Sequence, residues 1–189
     1  MMSFTSKKME ADLANTNNYI PVESPISWDE YFMLQAMLAS FRSKDPVTKV
    51  GCVFVDQDNH QITMGYNGFV AGLDESKLPW GKDKTAALQH QKYAYVVHAE
   101  ANAILHAPRS LRGSVCYVSL FPCHECAKLL ASSKVAEIVY LSDKHKHTES
   151  SEIARRIFDL AGIRYRAIDL DAKVLNHLGT HLEHLYRNI

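Results

Sequence analysis

The chain has 189 residues, 47% of them apolar, with 21 basic and 21 acidic side chains and a formal net charge of zero, enough for one domain with a sizeable core. The charge balance excludes the cationic excess needed to track a long phosphate backbone. No apolar run approaches the roughly 18–20 residues of a membrane span, and the N-terminus lacks a signal-peptide core. The sequence therefore reads as a cytoplasmic protein acting on a small molecule, with no nucleic-acid and no membrane partner.

Residues 1–26 are polar, Asn-rich and aperiodic, with prolines at 21 and 25, and read as a flexible N-terminal extension; residues 27–189 read as a single domain. Ser27 is placed to cap a helix in "WDEYFMLQAMLASFRS", with Glu30 completing a capping box three residues on. "VGCVFVD" and "QITMGYNG" then read as a hairpin joined by "QDNH". Residues 69–97 form a long connection whose middle, "LPWGKDKTAALQHQKYAYVV", has helical character; a connection of that length is more often functional or an interface than idle. Downstream, strand and helix alternate: helix 99–106, strand 114–120, helix 123–133, strand 136–142, helix 148–161, strand 163–168 and a last helix from about Val174. This pattern predicts an α/β fold, a three-layer α/β/α sandwich around a mixed, largely parallel five-stranded sheet.

His98 and Glu100 sit two residues apart at the start of "HAEANAIL". Alone, an H-x-E means little. Pro122 to Cys126, P-C-x-x-C, also lies where a strand passes into a helix, which puts both motifs at the sheet edge where α/β proteins build their sites. Cys123 and Cys126 are one helical turn apart, at a helix N-terminus that favours thiolates. Two thiolates and one imidazole fill three positions of a tetrahedral zinc ion and leave the fourth for water. The thiolates cancel the metal's charge, so that water needs a base. Glu100 is close enough and is not needed as a ligand. In a reducing compartment C-x-x-C reads as a metal or redox site; Cys52 and Cys116, in apolar strands, read as core thiols.

"RSKDP", "GYNG", "LPW", "HAExNAI", "LFPCxECAK" and "SDK" together resemble the deoxycytidylate (dCMP) deaminases of the zinc-dependent cytidine/deoxycytidylate deaminase family, over roughly residues 27–168. The resemblance implies a cytidine deaminase-like fold and conversion of dCMP and water to dUMP and ammonia, feeding thymidylate synthesis. It implies His98, Cys123 and Cys126 as zinc ligands and Glu100 as the proton shuttle between the attacking water, N3 and the departing amine. Asn67 resembles the family asparagine that contacts the sugar or base, and the backbone of Ala99, with that of Cys123, faces the pyrimidine edge. Arg42 is a candidate for the 5′-phosphate, its simpler role being to complement a helix dipole; Tyr95 is a candidate pocket residue or plain core. Some bacterial and phage relatives carry a second zinc using cysteines that this chain lacks, so one Zn²⁺ per chain is expected.

The resemblance also implies a homohexamer activated by dCTP and inhibited by dTTP. The stretch from Tyr66 and Gly68 through "LDESKLPWGKDK" offers an effector site: Trp80 for stacking, Lys77, Lys82 and Lys84 for phosphates, Asp74 and Glu75 for a nucleotide-bound Mg²⁺. The plainer reading is that this segment packs against a neighbouring subunit. Loop 142–150 is a candidate pocket wall, and its His145 and His147 read as surface. His124 reads as solvated, and His177, His181 and His184 as a helix surface or subunit contact. Competing readings are a deaminase of dCTP, of deoxycytidine or of adenosine in tRNA, and an inactive zinc-binding protein, against which the intact Glu100 argues.

Overall fold

The structure, a computed structural model, describes residues 25–187. The expected flexible extension falls almost wholly outside those residues, as do the side chains of His177, His181 and His184. Helix α1 (Trp28–Ser40) begins with the expected capping box: the Ser27 hydroxyl accepts from the Glu30 amide at 3.2 Å and Glu30 Oε2 accepts from the Ser27 amide at 2.7 Å. It ends three residues earlier than the sequence suggests. The amides of Phe41, Arg42 and Ser43 each bond the carbonyl three residues back, at 3.0–3.1 Å, a tightened exit turn ahead of Pro46.

The main sheet has the order β2-β1-β5-β6-β7, built from β1 (Gly51–Val55), β2 (Gln61–Tyr66), β5 (Val115–Leu120), β6 (Glu137–Ser142) and β7 (Arg164–Ala167). Strand β1 is antiparallel to both β2 and β5, while β5, β6 and β7 pair in parallel. Four strands therefore point one way and β1 alone opposes them, the mixed, largely parallel sheet that was expected. The parallel pairs are joined by α3 (His124–Ser132) and α4 (Glu149–Ala161), since a parallel return needs a crossover.

Alternation along the buried strands divides the core. Cys52 and Phe54 of β1, Cys116 and Val118 of β5 and Ile138 of β6 pack with Ala103, Ala127, Leu130 and Phe158 on one face. Val53, Val55, Tyr117 and Val139 meet Phe32, Met33 and Ala36 of α1 on the other. Each fully buried large side chain contributes roughly 1.5–3 kcal/mol. Helix α2 (Ala99–Leu105) lies with α3 and α4 on the first face, and a final helix α5 (Ala172–Arg187) follows β7.

The long connection differs from expectation. It holds no α-helix but three single 3₁₀ turns, Glu75–Lys77 just before that middle and Leu88–His90 and Lys92–Ala94 within it. Its ends form a two-stranded ribbon outside the main sheet, β3 (Gly68–Phe69) antiparallel to β4 (Val96–Val97). The insertion is thus closed at its base.

Candidate active site

Helix α2 is held tightly at its first turn. A Cβ on Gly65 would stand 2.3 Å from the Ala99 carbonyl oxygen and 2.7 Å from the Ala103 amide nitrogen, so only glycine lets β2 pass so closely beneath the helix. Asn102 Nδ2 donates to the Tyr66 carbonyl at 2.8 Å. His98 is the N-cap of α2 and Cys123 the N-cap of α3, both extended in backbone and neither using its side chain to cap. Serine or aspartate at these positions would satisfy the helix amides; here the side chains are free to turn towards one another.

They do so. His98 Nδ1 lies 3.4 Å from Cys123 Sγ and 3.4 Å from Cys126 Sγ, and the three donor atoms lie within 4.8 Å of one another. A tetrahedral zinc ion with ordinary bond lengths holds nitrogen and sulfur ligands about 3.6 Å apart. Charge asks for a cation as well. The Cys126 thiol, against the effect of burial and with His98 adding to it, holds the Cys123 thiol down to about 3. Cys123, burial and Glu100 in turn push Cys126 far up. Cys123 raises His98 despite its partial burial. Glu100, 4% exposed, is raised by burial before any other cause. Three acidic groups, Cys123 half-buried and Cys126 and Glu100 buried, crowd one spot, and a divalent ion relieves them. The residues fit zinc, and Glu100 stands beside the three ligands as the one acidic group the metal does not require.

The two motifs do not leave one sheet, as their sequence pattern suggested. Cys123 follows β5, a main-sheet strand, but His98 follows β4, which belongs to the small ribbon. His124 is not merely solvated: its Nδ1 lies 2.8 Å from the Ser150 hydroxyl, linking α3 to α4. Cys52 and Cys116 are both fully buried, as expected of core thiols. Among the described residues one other cluster has metal-binding spacing, Asp56, Asp58 and His60. It serves the β1–β2 turn, where Asp56 Oδ1 accepts from the amides of Asp58 and His60 and Oδ2 pairs with Arg109 at 2.5 Å.

The substrate-side candidates divide. Ala99 opens α2, where the first amides have no partner within the helix. Asn67 is buried, and its side chain is engaged by protein: Oδ1 accepts from the Val50 amide at 2.8 Å, while Nδ2 donates to the Thr48 carbonyl at 3.0 Å and to Asp45 Oδ2 at 3.3 Å. Tyr95 donates its hydroxyl to the Gln89 carbonyl at 3.1 Å. Arg42 is exposed and borders a shallow groove with Gln35, Leu38, Gln61 and Met64 that no metal-site residue lines.

In the insertion, Trp80 packs on Phe69, ring centroids 4.1 Å apart, and Gly68 pairs with Val97. Tyr66 is half-buried and Lys82 exposed. Asp74 bonds Ser76 and Lys77, and Glu75 pairs with Lys44 at 2.9 Å. The structure does not gather Asp74 and Glu75 into a cation site.

The family model described as the cytidine and deoxycytidylate deaminase zinc-binding region matches residues 26–142. The chain belongs to this deaminase family. A probable deoxycytidylate deaminase of Drosophila melanogaster is 42% identical over 146 residues, covering 75% of this chain and 72% of the relative. Human deoxycytidylate deaminase is 40% identical over 142 residues, covering 75% and 79%. Among solved structures, the dCMP deaminase of cyanophage S-TIM5, determined with dCMP and dUMP, superposes with a TM-score of 0.59 at 21% identity, over 77% of this chain and 100% of the phage chain; that likeness concerns the fold. The matched residues 26–142 include His98, Glu100, Cys123 and Cys126. No described helix is long and apolar enough to cross a membrane.

Proposed function

We propose that this deaminase-family chain, one domain over residues 27–189, hydrolyses dCMP to dUMP and ammonia. The observation that carries the proposal is the convergence of His98, Cys123 and Cys126 with Glu100 buried beside them, in a chain whose relatives are named deoxycytidylate deaminases. A zinc ion held by the three ligands would supply the Lewis acidity that makes water nucleophilic near neutral pH.

The chain's own residues do the rest. Glu100 accepts a proton from the attacking water, gives it to N3 of the pyrimidine, and carries the second proton to the amine leaving C4, ending the cycle as it began. Its burial keeps bulk water from competing for those protons. The Ala99 and Cys123 amides, at the mouths of two helices, orient the pyrimidine edge. Asn67 and Tyr95 bound the pocket on the insertion side, supported by their place in or beside the family motifs, while Arg42, on a groove that no metal-site residue lines, keeps its simpler role just past the end of α1.

The same reading makes the chain a cytoplasmic homohexamer that feeds thymidylate synthesis. It places activation by dCTP with Mg²⁺ and inhibition by dTTP at the segment containing Tyr66, Gly68, Trp80 and Lys82. What supports this is that the segment starts next to the residues that brace α2. The test is steady-state kinetics of the purified zinc protein on dCMP, dCTP and deoxycytidine, repeated with each effector. The expected result is kcat/KM for dCMP higher by about tenfold or more, with a sigmoidal dCMP curve made hyperbolic by dCTP. Preference for another substrate would overturn the assignment to dCMP, and indifference to both nucleotides the regulation.

A further inference from the structure

Lys92 lies in the insertion and is buried, and its ammonium meets the buried carboxylate of Asp45 at 2.5 Å, 47 residues away in the chain. The pair is embedded in a connected network. Asp45 Oδ1 accepts from the amides of Val47 at 2.8 Å and Thr48 at 3.0 Å, and Asp45 Oδ2 also accepts from Asn67 Nδ2. Asn67 in turn fixes Val50 and Thr48, and the Lys92 amide donates to the Gly81 carbonyl at 2.7 Å. One ion pair thus joins the insertion, the loop from Ser43 to Val50 and the end of β2.

Sheet register puts this junction at the edge of the main sheet from which the chain passes into Cys123 and Cys126. Gly51 pairs with Tyr66, and its amide donates to the Ser119 hydroxyl at 3.1 Å. Leu120 pairs with Ser142, and the Phe121 amide bonds the Ser142 carbonyl at 2.8 Å. Loop 43–50, Asn67, Pro122 to Cys123 and loop 143–148 therefore leave the sheet side by side. Lys144 of the last loop reaches the Thr48 hydroxyl at 3.3 Å.

A buried ion pair gains little stability over an apolar pair of equal volume, because desolvation offsets the attraction; in some proteins buried polar groups serve instead to fix a single arrangement of the segments they join. We infer that Lys92 and Asp45 form a clamp that fixes the insertion against loop 43–50 and so sets the pocket wall facing the metal site, which makes both residues positioning residues for substrate binding. The inference rests on the dCMP reading for its kinetic consequence and on geometry alone for the clamp.

The experiment uses Lys92→Met, Asp45→Asn and the double variant in the full zinc-loaded chain. It measures KM and kcat for dCMP, zinc content, thermal midpoint, and hydrogen exchange of amides in residues 43–50 and 70–97. Each single variant is expected to raise KM about tenfold or more with kcat within about threefold and zinc retained, and to speed exchange in both segments. The double variant, with no buried charge left unpaired, regains the thermal midpoint yet keeps the high KM and fast exchange. A KM that returns with the midpoint, a KM unchanged in all three, or a fall confined to kcat overturns the inference. Should the single variants not fold, the double variant decides. If the wild-type protein does not turn over dCMP, the substrate reading fails by itself and the clamp is judged on exchange, where unchanged rates in either segment overturn it.

Discussion

Replacing Gly65 by alanine should cost this protein more activity than its loss of stability explains. The added Cβ would sit 2.3 Å from the Ala99 carbonyl oxygen and 2.7 Å from the Ala103 nitrogen, where ordinary contact begins at 3.4 Å. Both neighbours are backbone, so helix and strand must part by about 1 Å. Overpacking of this kind costs about 1–3 kcal/mol, a fall of roughly 2–12 °C in Tm for a domain of this size. The helix that moves carries His98 and Glu100 at its start, and a displacement near 1 Å at reacting groups costs about 100-fold in rate. Gly51→Ala is the matched control: its Cβ would stand 2.1 Å from the Ala36 carbonyl oxygen and 2.5 Å from the Ser40 nitrogen, so it displaces α1 instead. Thermal melts and kcat on the two purified variants decide. Similar losses of Tm with a far larger kcat loss for Gly65→Ala are expected; equal kcat losses, or a Gly65→Ala variant within about threefold of wild type, would refute the reasoning.

Metal analysis should find about one zinc per chain, lost on His98→Ala, Cys123→Ser or Cys126→Ser; a reproducible value near two would reveal a structural site outside this group. Acid stability should report on Asp45. Burial raises its carboxyl, but Lys92 and the Thr48 and Val47 amides outweigh that and leave it below the usual carboxylate range. A depressed pKa adds stability that is complete above the unfolded value near 4 and is lost as pH falls through the folded value. Asp45→Asn should therefore cost stability at pH 7 and progressively less towards pH 3, read from urea midpoints; a deficit that is constant or grows on acidification would contradict this.

The metal group was legible because its chemistry is written in short spacings: H-x-E and P-C-x-x-C each occupy one helical turn. Strands β1, β5 and β6 were legible from their apolar runs, and β2 and β7, QITMGY and RYRA, from short stretches set between turn and helix signals. The β3–β4 ribbon was not, since two residues per strand leave no period to read. Nor was the clamp. Lysine and aspartate are read by default as surface residues, and nothing local in "HQKYAY" or "RSKDP" announces a partner 47 residues distant. The signal that existed was the position of both segments within the family motifs or beside them. Asn67 shows the limit of motif reading from the other side: the motif reads its amide as a substrate contact, while that amide is engaged with Asp45, Thr48 and Val50, which only the fold reveals. His124 was read as solvated because Ser150, its partner, comes from the next helix.

The measurement that bears most directly on the central claim is dUMP and ammonia formation by the wild-type protein and by Glu100→Ala, with zinc determined on the same samples. The account predicts about one zinc per chain and a native fold in both, turnover by the wild type, and a fall of at least about 100-fold in the variant, because the carboxylate moves protons and does not bind the metal. A zinc-loaded, folded Glu100→Ala protein that retains a sizeable fraction of the activity, or a wild-type protein that forms no dUMP, would contradict it.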